Sequence, residues 1–143
     1  MKALLALLTL ALTAHLGHAA TPDAAAPLTP QAVAQFARSF QAALQHKDLP
    51  RVAAMVSFPL RVNTEGGPRR RVGQAELLKS FDQVFTPSVV KAVLAQDPDA
   101  LFQNQQGVMF GDGEVWAAEV CPAQPQAPCP LRVVTVNRPA RAP

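Results

Sequence analysis

Asp82, Asp112, Glu114 and Glu119 are the side chains of this sequence most suited to proton transfer, because a carboxyl held in an apolar pocket keeps its proton to higher pH and can then serve as acid or base. Their settings favour structural roles. Asp82 stands beside the apolar stripe of a predicted helix, and Asp112 lies in a Gly-Asp-Gly turn. Glu114 and Glu119 are an odd number of residues apart, so a regular strand cannot point both to one side. His46 is the one histidine outside the apolar leader that holds His15 and His18. It falls at the end of a predicted helix, where a histidine commonly faces the helix dipole, and one histidine cannot build a histidine metal cluster. Ser-His or Cys-His catalysis would need a nucleophile beside His46 and, for cysteine, two unpaired thiols. No catalytic residue is therefore assigned, and no metal or organic cofactor is expected.

Cys121 and Cys129 bracket a proline-punctuated segment between two strand-like runs. Their spacing is too long for a two-residue redox motif, and no second ligand pair accompanies them, so a disulfide that staples the neck of a hairpin is expected. Arg69, Arg70 and Arg71, with Arg61, form the one dense charge cluster, which on adjacent strands makes a basic edge able to meet an acidic protein or an anionic polymer. A solvated edge strand guarded by its charges is the plainer alternative. Trp116 is the single tryptophan, mid-strand between Val115 and Ala117, and either packs in the core or grips a ligand or partner at the mouth of a pocket. Met109 and Phe110 read as core. Trp116, Arg61, Arg69, Arg70, Arg71 and Asp82 are the candidate contacts for a partner or pocket.

The elements that must position these residues follow from periodicity. Met1 and Lys2 precede an apolar run from Ala3 to Leu16 and the small residues Gly17 and Ala19, the pattern of a signal peptide over residues 1–19 cleaved after Ala19. A membrane span needs about 20 apolar residues, more than this run supplies. Loss of Lys2 lowers the formal charge from +3 to +2, too mild a balance for nucleic-acid binding. Residues 20–28 read as a flexible lead-in, residues 29–138 as a single α+β domain and residues 139–143 as a loose tail.

Thr29-Pro30 opens an amphipathic helix over residues 30–46, with Val33, Phe36, Ala37, Phe40, Ala43 and Leu44 on one face. Asp48 caps a second helix from Leu49 to about Val56, which Phe58-Pro59 is expected to end. Residues 60–64 and 69–72 read as a hairpin around Glu65-Gly66-Gly67-Pro68. Leu77, Leu78, Phe81, Val84 and Phe85 form a further helical stripe, and Thr86-Pro87 starts a helix to about Gln96. Residues 100–104, 108–110, 114–121 and 131–137 then read as an antiparallel meander. Helices first and strands afterwards predict N-terminal helices packed on a curved, mostly antiparallel sheet.

The phrases Ser57-Phe58-Pro59-Leu60-Arg61-Val62, Phe81-Asp82-Gln83-Val84-Phe85-Thr86 and Asn104-Gln105-Gln106-Gly107-Val108-Met109-Phe110-Gly111-Asp112-Gly113-Glu114-Val115-Trp116, in this order of elements, resemble small exported bacterial proteins of the nuclear-transport-factor-2-like superfamily. The resemblance covers about Thr29 to Asn137. It implies a cone of helices over a bent sheet, a fold that hosts isomerases, dehydratases, ligand binders and protein binders, and that often pairs through its sheet, so a homodimer is open. Fold alone does not choose among these activities. Isomerases of this kind pair a carboxylate base with a tyrosine or protonated aspartate, and this chain has no tyrosine. The expectation is an exported, non-catalytic protein-binding module in the periplasm or secreted. In particular, an immunity protein that neutralises a secreted antibacterial toxin is expected, with a toxin or envelope enzyme as partner, no nucleic acid and no membrane insertion. The alternative is a small-ligand binder or cofactor-free lyase or isomerase that uses the apolar cone.

Overall fold

A computed structural model describes residues 28–123 and 129–140. The expected signal peptide, the lead-in up to residue 27 and the tail from residue 141 lie outside the described residues.

Local signals start the helices. Thr29 stays extended and its hydroxyl accepts a hydrogen bond from the Ala32 N–H at 3.1 Å, while Pro30 occupies a first-turn position whose N–H has no helical partner; this begins α1 (Pro30–Gln45). Beyond His46, Lys47 turns left-handed at φ 51°. The Lys47 N–H donates to the Leu44 carbonyl and the Asp48 N–H to the Ala43 carbonyl, closing the helix end with two reciprocal bonds. Asp48 then caps α2 (Leu49–Ala54), accepting from the Arg51 N–H at 3.1 Å.

The second helix ends earlier than expected. It stops at Ala54, and Phe58 and Pro59 lie inside β1 (Val56–Thr64). Val56 pairs with Val133, and the Val133 N–H donates to the Met55 carbonyl at 2.9 Å, so a distant strand captures this backbone before the proline is reached. Pro59 is accommodated because the pairing is irregular between Val56 and Arg61, where a missing N–H removes no ladder bond. The hairpin partner is β2 (Arg70–Val72).

The predicted stripe from Leu77 to Phe85 is two short helices, α3 (Gln74–Lys79) and α4 (Phe81–Val84), broken at Ser80. Leu77, Phe81, Val84 and Phe85 are buried in the core and Leu78 is exposed. Thr86 caps α5 (Pro87–Leu94), and β3 (Phe102–Asn104), β4 (Gly107–Phe110), β5 (Val115–Glu119) and β6 (Leu131–Arg138) follow among the described residues.

The six strands run β2-β1-β6-β5-β4-β3, every pair antiparallel except β1 with β6. Register shifts in the β1–β6 and β5–β6 ladders bend the sheet around its helices. On the concave side Leu60, Val62, Val72, Val108, Phe110, Val115, Ala117, Val133 and Val136 meet the buried faces of the helices. Phe36, Phe40, Phe81, Phe85 and Phe110 fill the space between the two layers, with ring centroids from 5.3 to 6.5 Å apart. The fold is α+β as predicted: helices on one face of a mostly antiparallel curved sheet.

Candidate functional site

Strand alternation that sends apolar residues to the helices sends their neighbours to the other face of the sheet, which lies outside the hydrophobic core. The registers arrange six of these neighbours in one row. Arg71 lies opposite Arg61, Arg61 opposite Thr135, Thr135 opposite Trp116, Trp116 opposite Met109, and Met109 opposite Phe102. With neighbouring strands about 4.8 Å apart, the row spans about 24 Å. One end is basic and the other apolar. Phe102 is 53% exposed, Met109 and Trp116 are half-buried, and Thr135 is the buried polar residue between the two ends.

The arginine cluster divides by parity. Arg70 turns to the helix side and pairs with Glu76. Arg61, Arg69 and Arg71 stay on the open face, exposed, and among the described residues no carboxylate lies within ion-pair distance of any of them. With Asn63 and Arg70 they line a groove of about 560 Å³. Arg138, by contrast, is engaged: it donates to the Thr64 hydroxyl and to the Gln83 carbonyl, tying the end of β6 to α4.

A larger groove of about 750 Å³ continues from Asn63 and Arg69 past Asn137 to Met109 and Trp116. Its floor is a relay of amides. Asn63 donates to the Asn137 Oδ1 at 2.7 Å, and Asn137 donates through its own amide to the Gly113 carbonyl at 2.6 Å. This fixes the turn before β5, and with it the approach to Trp116. The Asn63 Oδ1 is buried and has no hydrogen-bond partner among the described residues. Sequence reasoning did not single out Asn63 and Asn137. Their in-register pairing on β1 and β6 is the signal, and it is visible only once those strands are known to be neighbours.

The structure brings Trp116 and the arginines 61, 69 and 71 onto one face, and keeps Arg70 and Asp82 apart from it. Asp82 sits exposed on α4, bonded to Lys47 at 2.9 Å, and with Arg70, Thr64 and Arg138 lines a third groove of about 710 Å³. Met109, expected in the core with Phe110, lies on the opposite face from it, since adjacent strand residues alternate. Trp116 stands outside the phenylalanine-filled interior rather than at its mouth. Glu114 accepts from the Asp112 N–H at 2.6 Å and holds the turn at the rim of the larger groove, while Glu119 is exposed near the end of β5. His46 is exposed at the end of α1. Cys121 and Cys129 are joined in a disulfide, and just inside it the Val120 N–H donates to the Pro130 carbonyl at 3.0 Å, closing the neck between β5 and β6. Such a bond is compatible with an oxidising compartment.

Among the described residues no three His, Cys, Asp or Glu side chains converge as a ligand set, and no helix is long and apolar enough to cross a membrane. No protein-family model matches the chain, and no curated protein matches it.

Proposed function

We propose that this chain is an exported, non-catalytic protein-binding module that works by surface contact. Within that class we assign it as a periplasmic immunity protein, one that neutralises a secreted antibacterial toxin. The observation that carries the reading is the division of the sheet into two unlike faces. The concave face is filled with phenylalanine rings, and the other presents tryptophan, methionine, phenylalanine and arginine with no covering layer among the described residues. Trp, Met, Phe and Arg are the residues enriched where proteins meet proteins, and a half-buried tryptophan beside a groove is the usual form of an interface anchor. The helix-backed, bent sheet supports the expected kinship with the nuclear-transport-factor-2-like superfamily, which includes protein binders. The disulfide and the apolar leader support export through an oxidising compartment.

The test is capture on the full chain, expressed and purified with its disulfide intact, from the secreted and periplasmic fractions of its native cell. One secreted protein retained at equal stoichiometry, lost on Trp116→Ala, and harmless to a susceptible cell only when this chain is co-expressed, is the expected result. Retention unaffected by Trp116→Ala would remove the open face as the contact surface. A captured protein whose toxicity this chain does not relieve would remove the immunity assignment.

A further inference from the structure

We propose that the open face of the sheet receives an acidic segment of the partner protein, laid extended across the strands. Its carboxylates sit on Arg61, Arg69 and Arg71, and its apolar side chains on Trp116, Met109 and Phe102. This rests on the protein-binding reading above and names the chemistry of the partner.

Charge carries the argument. Protection of an edge strand accounts for a charge on β2, the outermost strand, but not for Arg61, which lies on β1 between β2 and β6. Arg61 and Arg71 are moreover directly opposite each other, a like-charge juxtaposition that weakens a strand pair unless an anion lies between them. Arg61, Arg69 and Arg71 have no carboxylate partner among the described residues; Arg51, Lys79, Lys91 and Arg132 also lack one but stand on four different elements, whereas these three line one groove. Guanidinium groups take carboxylates two bonds at a time, so clustered arginines suit closely spaced Asp and Glu.

Geometry sets the order of the occupant. The row is monotonic, basic at β2 and β1 and apolar from β5 to β3, and its span of about 24 Å matches about seven residues of extended chain at about 3.3 Å each. The segment therefore carries its acidic residues at one end and its apolar residues at the other. A second copy offers no carboxylate from this row, its Glu65, Asp112 and Glu114 lying beside the row along the larger groove, so pairing through this face is read separately by sedimentation; a nucleic acid supplies phosphates but no aliphatic side chains for the apolar end.

Trp116 lies in the middle of the row and is the sole tryptophan of a chain without tyrosine, so its emission reports occupancy directly. The probe is a synthetic acetylated peptide amide, Glu-Asp-Glu-Gly-Leu-Ile-Phe, titrated into the full chain at about 50 mM salt, where exposed charges are little screened. A saturable change in Trp116 emission is expected. The double variant Arg61→Glu with Arg71→Glu should weaken it by about tenfold or more, as loss and reversal of several exposed ion pairs implies, and Arg61→Gln with Arg71→Gln by less. Far-UV circular dichroism keeps a folding defect distinct from a binding one. A peptide with Gln for each acidic residue, or with the acidic and apolar residues interleaved, should bind more weakly.

The proposal is overturned by equal binding of the Gln peptide, by charge-reversed protein that binds within twofold of the original, or by an eight-nucleotide oligothymidylate that binds more tightly. It is also overturned by a stable dimer in sedimentation that excludes the peptide. Failure here with a stoichiometric protein still captured leaves the binding-module reading standing. Success here with no captured protein supports the acidic-segment site and removes the toxin assignment alone.

Discussion

Replacing Phe40 by alanine tests whether the interior is packed or open. Phe40 is fully buried, and its ring lies 6.1 Å from Phe36, 6.0 Å from Phe85 and 5.7 Å from Phe110, so it joins α1 to the sheet and to the end of α4. Truncating a buried phenylalanine removes its transfer free energy and leaves a cavity, together about 3–5 kcal/mol. Because three ring contacts are lost at once, we expect about 4 kcal/mol, a large part of the stability of a domain this size. Thermal melting should shift down by roughly 15–25 °C, and the urea midpoint by about 2 M. Both are read by Trp116 emission and far-UV circular dichroism on the same sample, whose coincidence confirms a two-state transition. Phe102→Ala is the internal control: the same truncation at a ring that is 53% exposed should cost within about 0.5 kcal/mol. A loss at Phe40 below about 1 kcal/mol, or equal to that at Phe102, would refute the packed interior. The space between helices and sheet would then be available to a ligand, and the contact reading would lose its main support.

Two further outcomes test the frame that holds the site. Cys121→Ser with Cys129→Ser opens only a short loop, so the urea midpoint should fall by an amount worth about 2.5 kcal/mol or less. Reductant should bring the original protein to the same midpoint and leave the variant unmoved. Gly107 begins β4 at φ +129°, and a Cβ there would run into the Ala117 carbonyl of β5. Gly107→Ala should therefore cost about 2 kcal/mol or more by melting, and a neutral result would contradict the β4–β5 pairing that places Met109 beside Trp116.

Much of the framework was legible because its causes are local. Thr29, Asp48 and Thr86 mark helix starts within a few residues of themselves, since a cap needs only its own side chain and the next turn. The alternation of Leu60, Arg61, Val62 and Asn63 marks a strand, and the two cysteines mark the neck of a hairpin. Where distant backbone intervened, local signals failed. The second helix ends two residues early because Val133 pairs with Val56, and Pro59, a helix stop by its own chemistry, became part of a strand. The stripe ending at Phe85 is broken at Ser80, although Leu77, Phe81, Val84 and Phe85 have the spacing of a single helix face.

The candidate site belongs almost wholly to this second class. The sequence by itself determined the residue types, an isolated tryptophan and the arginine cluster at positions 61 and 69 to 71, while Met109 read as core beside Phe110. Only the tertiary structure decided which face the helices cover. It also decided that β6 inserts beside β1, so that Arg61, Thr135 and Trp116 become neighbours across strands far apart in the chain. The physical reason is that side-chain period is a property of each strand alone, whereas register and burial are properties of the pair and the layer, and a shift of one residue in either would turn the whole row to the other side.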